Sequence, residues 1–103
     1  MSRESHSQEV LSVAVFEPVP GQEQACLETI RELMTTLTSK GYSRDSLYRD
    51  VNDPKRYIAV RLWRSEEARR QAQEDPTALR CWARMAHQVD IIRVYESLEE
   101  VKL

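Results

Sequence analysis

In YIAVRLW, residues 57–63, the side chains of Tyr57, Arg61 and Trp63 stand at even spacing, so a strand through this stretch sends all three to the same face. A guanidinium can hold an anion, while an indole and a phenol offer flat apolar walls that each carry a hydrogen-bond donor. Such a face suits an anionic or enolate-like ligand. The same residues also meet purely structural needs. An indole at a strand end fills a core, aromatic residues pair across strands, and an arginine is neutralised by an acid such as Asp50 or by one across a dimer.

Other chemistries lack their residues. His6 and His87 are the two histidines, and Cys26 and Cys81 stand 55 residues apart with no zinc-ligand spacing, so no metal site is expected. Each cysteine reads as a small buried hydrophobe. The formal net charge of -2, with bases interspersed among acids, excludes the positive footprint that nucleic acid or an anionic membrane surface requires. No apolar run approaches the roughly 18 residues of a membrane span, and the polar start MSRESHSQE has no apolar leader core, so a cytoplasmic protein is expected.

The elements that must position the candidate face follow from periodicity and punctuation. Residues 1–8 read as a loose tail and residues 9–103 as a single domain. VLSVAVFE, residues 10–17, is rich in β-branched residues and stops at Pro18 and Pro20-Gly21. Cys26, Leu27, Ile30, Leu33, Met34 and Leu37 recur at helical spacing over residues 22–40, and Gly41 is suited to end that helix in a left-handed turn. Strands are predicted over 46–53 and 56–63, joined at Asn52-Asp53-Pro54-Lys55. Ser65 and Asp75-Pro76 then mark two helix starts, and VDIIRVYES, residues 89–97, closes the chain as the last strand. The order βαββαβ, with its second helix broken in two, is the ferredoxin-like α+β arrangement with a four-stranded antiparallel sheet.

Alternation divides the strands into two apolar sets. Leu11, Val13, Val15, Ile58, Val60, Leu62, Ile92 and Val94 are expected to meet the helices. Val10, Ser12, Ala14, Phe16, Tyr57, Ala59, Arg61, Trp63, Val89, Ile91, Arg93 and Tyr95 form the opposite set. That set is too apolar to face water and predicts a second copy of the chain laid sheet against sheet. A β-bulge would shift this division by one residue.

Strand one followed by PGQEQACLETIRELM, and then LYRDVNDPKRYIAVRLWRSEEARRQAQEDP, resembles the antibiotic biosynthesis monooxygenase domain of the dimeric α+β barrel superfamily. The shared features are Pro20-Gly21 leading into the long helix, and Trp63-Arg64-Ser65 followed by Glu67-Ala68. The resemblance implies a homodimer and a pocket between sheet and helices. It also implies a cofactor-independent monooxygenase acting on a small aromatic molecule of the phenolic, quinol or anthrone type. Trp63 matches the family's strand-end tryptophan; Arg61 and His87 join it as catalytic candidates by residue type. Tyr57, Phe16, Arg93 and Tyr95 are the candidates to line the substrate. A non-catalytic binder of a small molecule or haem on the same fold is the other reading. Haem-degrading members carry an asparagine on the first strand, which VLSVAVFE lacks. His87 ends its helix, where it equally suits a C-terminal cap.

Overall fold

The structure, a computed structural model, describes residues 8–103. The loose tail expected over residues 1–8 therefore lies, apart from Gln8, outside the described residues. The chain runs β1 (Val10–Pro18), α1 (Glu23–Ser39), β2 (Ser43–Arg49), β3 (Tyr57–Trp63), α2 (Glu66–Ala72), α3 (Pro76–Met85) and β4 (Val89–Leu98). The strands form one antiparallel sheet in the order β2-β3-β1-β4. This is the ferredoxin-like α+β fold that the sequence pattern predicts.

Local chemistry places the boundaries. Gly41 adopts φ +74° just past α1, a conformation that costs a residue with a Cβ, and an added Cβ would also meet Arg64 Nη1 at 3.1 Å. Ser65 Oγ accepts from the Ala68 N–H and opens α2, while Pro76 occupies the first position of α3, where no intrahelical donor is needed. β2 starts at Ser43, three residues before its expected start at 46. The Ser43–Arg49 strand is thereby in register with the whole of β3, from Ser43 opposite Trp63 to Arg49 opposite Tyr57.

The most connected of these boundary residues is Asp75. Its Oδ1 accepts from the Thr77 and Ala78 N–H groups at 2.9 and 3.0 Å, and its Oδ2 accepts from the Lys40 ammonium just beyond α1. The Lys40 hydrogen bond first, and then the Ala78 N–H, hold the carboxyl below its ordinary value of 3.8. A carboxyl whose folded pKa is depressed stabilises the fold above its unfolded pKa and loses that contribution as pH falls through the folded value. The melting temperature is therefore expected to decline below about pH 4. Asp75→Asn, which still caps, should flatten part of that decline, whereas Asp75→Ala should cost about 1–2 kcal/mol at neutral pH. Thermal melts across pH 2–7 check both outcomes.

The two faces of the sheet are exchanged relative to the sequence expectation. Phe16, Tyr57 and Trp63 are buried against the helices, Phe16 and Tyr57 beside Cys26 and Ile30, and Trp63 beside Leu33, Leu37, Ala72, Ala78 and Cys81. Leu11, Val13, Val15, Ile58, Val60 and Leu62 point away from them and are half-exposed. Both sets are apolar, so alternation separates them without saying which one the helices cover. Ring size decides here: the broad aromatic side chains at the two ends of the helix-facing set fill the space beneath α1 and α3. In β4 the error has another cause. Val15 pairs with Arg93 but the next residue, Phe16, pairs with Ile91, leaving Ile92 as the extra residue of a bulge. Arg93 and Tyr95 therefore share the outer face with Val15 and Val13, while Val94, opposite Ala14, turns inward.

Candidate functional site

Directly paired residues put four rows of side chains on the helix-facing side of β1, β3 and β2. They are Val10–Trp63–Ser43, Ser12–Arg61–Asp45, Ala14–Ala59–Leu47 and Phe16–Tyr57–Arg49. The small Ala14–Ala59 row separates two polar ends. Trp63 and Tyr57, six residues apart on one strand, stand about 20 Å from each other at the usual rise of a strand.

At the Trp63 end the side chains interlock. Arg61 Nε donates to Asp45 Oδ2 at 2.7 Å, and Ser43 Oγ donates to the other carboxylate oxygen at 2.7 Å. The Asp45 side chain is 3% exposed and that of Arg61 18%, so the pair is well withdrawn from water. A carboxylate buried to that degree depends on its cation and its hydroxyl partner. The guanidinium carbon lies 5.4 Å from the Trp63 ring centroid, in cation–π range. Trp63 Nε1 donates to Ser12 Oγ at 3.1 Å, and Ser12 in turn donates to the Glu96 carbonyl at 2.6 Å. The indole is thus fixed in orientation, with its one donor spent on Ser12. Among the described residues, the terminal N–H groups of Arg61 have no other hydrogen-bond acceptor.

Beside this cluster lies a cleft of about 180 Å³. Its floor is Ala14 and Ala59, its walls include Trp63, Arg61 and Val94, and Arg69, Gln73 and Glu96 stand around it. Arg69 donates to Ser97 Oγ at 3.1 Å and to Glu96 Oε1 at 3.3 Å, tying α2 to β4 across the cleft. The cleft exists because two alanines occupy central sheet positions where larger side chains would reach the helices. Arrayed around it are a fixed aromatic wall, a guanidinium with free donors, and one carboxylate, that of Glu96.

At the other end, Tyr57 Oη donates to Glu23 Oε2 at 2.5 Å and accepts from Arg49 Nη2 at 2.7 Å. Phe16 stacks on the Tyr57 ring with centroids 5.7 Å apart and planes at 16°. Burial first, and then the hydrogen bond to Glu23, raise the Tyr57 pKa above its ordinary 10.0, so the phenol is neutral and acts as a donor.

The candidates from sequence thus separate. Trp63 and Arg61 come together at the cleft. Tyr57 and Phe16 share the face but are packed into the core three rows from Trp63. Arg93 and Tyr95 lie on the opposite face, Arg93 over its own Tyr95 ring at 5.8 Å, because the bulge at Ile92 inverts them. His87 is exposed in the turn between α3 and β4 and lines neither the cleft nor the Tyr57 end. Sequence reading missed Asp45, Ser12 and Arg69. Asp45 lay outside the predicted β2, and extending that strand back to 43 would have placed it opposite Arg61. The acid once considered for Arg61, Asp50, instead accepts from the Asn52 N–H in the hairpin turn. Among the described residues no group of three or more His, Cys, Asp or Glu could hold a metal ion. No helix among them is long and apolar enough to cross a membrane.

Comparison with known proteins then adds an independent line. Residues 10–84 match the antibiotic biosynthesis monooxygenase family. No curated protein matches the chain. Solved structures of similar fold include a candidate antibiotic biosynthesis monooxygenase from Chloroflexus aurantiacus, at 14% identity and TM-score 0.75 over 92% of this chain and 96% of that one. A Pseudomonas aeruginosa protein superposes with TM-score 0.74 at 18% identity, over 92% of this chain and 96% of its own. A Mycobacterium tuberculosis protein does so with TM-score 0.73 at 19% identity, over 91% and 99%. At these identities the likeness is one of fold.

Proposed function

Because the chain belongs to the antibiotic biosynthesis monooxygenase family, we propose that it is a cofactor-independent monooxygenase whose substrate is a single-ring hydroquinone or related phenol. The observation that carries this reading is the cleft in which Arg61, held by Asp45, stands beside the fixed indole of Trp63. Its volume of about 180 Å³ favours one ring over three. A cavity of about 150 Å³ suffices for benzene, whereas an anthrone would have to project through the open side.

The chemistry asks little of the protein. A hydroquinone that loses a proton becomes an anion able to give an electron to dioxygen. Recombination at a ring carbon and loss of water yield the hydroxyquinone, so one hydroquinone and one dioxygen give one hydroxyquinone and one water. The residues supply what the substrate lacks. Arg61 holds the phenolate oxygen with its free N–H groups, Trp63 packs along the ring, and Glu96 receives the proton. The aliphatic Val94 and the alanine floor give the ring an apolar wall and base.

We infer further that the working unit is a homodimer. The surface chemistry of the outer sheet face supports it: Leu11, Val13, Val15, Ile58, Val60 and Leu62 run in three paired rows across β1 and β3, flanked by Tyr48 and Tyr95, which are 58% and 41% exposed. A second copy applied to the same face would cover them.

Oxygen uptake with methyl-substituted hydroquinones, in chelator-treated protein without flavin, tests the enzymatic reading. Uptake should survive chelation. Arg61→Met combined with Asp45→Asn, so that no carboxylate is left buried without its cation, should lower kcat/KM by about a hundredfold, the usual scale for losing an anion-stabilising donor. Trp63→Phe should lower it less. An absence of uptake with every hydroquinone, or a loss of uptake on chelation, refutes the proposal.

A further inference from the structure

A second opening lies on the far side of α1 and shares no residue with the Trp63 cleft. It is a groove of about 530 Å³ between α1 and the helix-facing side of β2, the edge strand of the sheet. Leu27, Ile30 and Met34 project from α1 at helical spacing and face Leu47 of β2, while the buried ring of Tyr57 closes one end. Edge strand and helix are bridged here by apolar side chains that do not fill the space between them.

The charges around the groove are unequal. Arg31 of α1 is exposed and makes no ion pair among the described residues. Arg49 of β2 reaches over the Tyr57 ring at 5.1 Å, donates to its hydroxyl and forms a longer ion pair with Glu23 at 3.7 Å. Glu23 also accepts the Tyr57 hydroxyl at 2.5 Å, and among the described residues no acid lines the groove itself. Two guanidiniums thus stand over apolar walls against a single carboxylate that is already engaged. A ligand that matches must carry one negative charge on an apolar body. A polyanion such as a nucleotide would leave its hydrated groups against leucine and methionine.

We propose that this groove is a second ligand site, for an amphipathic monoanion such as a medium-chain or aryl carboxylate. The carboxylate meets Arg31 and Arg49, and the apolar body lies between Leu27, Ile30, Met34 and Leu47. The site is independent of the oxygenation reading, since neither Trp63 nor Arg61 takes part.

The test uses the full chain with decanoate, and with decanol as the uncharged control, followed by titration calorimetry and by backbone amide shifts. Decanoate is expected to bind one per chain, with shifts centred on Leu27, Met34 and Leu47. Decanol should bind at least about tenfold more weakly, and Arg31→Glu should weaken decanoate by about tenfold or more, as loss of one charged hydrogen bond does. Arg31 is at the surface, so that variant should fold. Arg49→Gln should act in the same direction, and Met34→Trp, which fills the groove, should abolish binding. Four results overturn the proposal: no binding, equal binding of decanol, shifts centred on Trp63 or Tyr95, or concentration-dependent shifts at Leu47 without ligand. The last would mean that a second copy occupies the groove. Oxygen uptake by Arg31→Glu should equal that of the unsubstituted protein, so failure of this site and failure of the enzymatic reading are told apart.

Discussion

Trp63→Ala is expected to bring the domain to the edge of unfolding. The side chain is 4% exposed and joins α1, α2 and α3 through Leu37, Ala72, Ala78 and Cys81. Removing a buried indole costs about 3–5 kcal/mol, a large part of the roughly 5–15 kcal/mol that holds a domain of this size together. A domain of about 100 residues loses about 4–8 °C per kcal/mol, so the melting temperature should fall by about 12–40 °C. The neighbours offer little relief, because Ala72 and Ala78 are too small to move into the space. Trp63→Phe keeps most of the packing and forfeits the Nε1–Ser12 hydrogen bond, at about 1 kcal/mol. Calorimetric melts of the two variants measure the difference. If alanine and phenylalanine prove equally mild, Trp63 does not join the three helices as described.

Val60→Asp is expected to abolish the proposed dimer while leaving the fold in place. Val60 pairs with Val13 on one side and Ser46 on the other, at the middle of the outer face and away from the helix layer. In a two-fold interface the substitution enters from both copies. Each carboxylate would be withdrawn from water without a partner, at a cost of about 3 kcal/mol or more, which corresponds to about a hundredfold or more in the dissociation constant. Sedimentation velocity should show a single species of monomer mass for the variant and dimer mass for the parent. Far-ultraviolet circular dichroism should be unchanged, because Phe16, Tyr57 and Trp63 are untouched. A parent chain that sediments as a monomer overturns the dimer.

The elements were legible in the sequence wherever a residue type has one structural use. Gly41, Ser65 and Asp75-Pro76 each end or begin a helix in the expected place, since left-handed φ, side-chain capping and a missing N–H are local matters. The face assignment failed because it is a tertiary matter. Two apolar sets of equal period carry the same hydrophobic signal, and the contact between aromatic rings and helices is set by volume, which periodicity does not record. Trp63 and Arg61 were recognisable as a pair from their spacing alone. Asp45 was not, because its importance comes from lying opposite Arg61 across two strands, and a start for β2 at 46 excluded it from view. Arg93 and Tyr95 were misplaced by one extra residue, Ile92, whose presence depends on how β4 pairs with β1.

That single residue also divides the labour of the last strand. Before it, Val89 and Ile91 are in phase with Phe16, and Val89 is buried in the layer under the helices; beyond it, Arg93 and Tyr95 are in phase with Val15 and Val13 and belong to the outside. One strand therefore serves two environments. Tyr95 on the outer face is flanked along the chain by Val94 and Glu96, which border the cleft. The outer face and the cleft thus meet on consecutive residues of one strand.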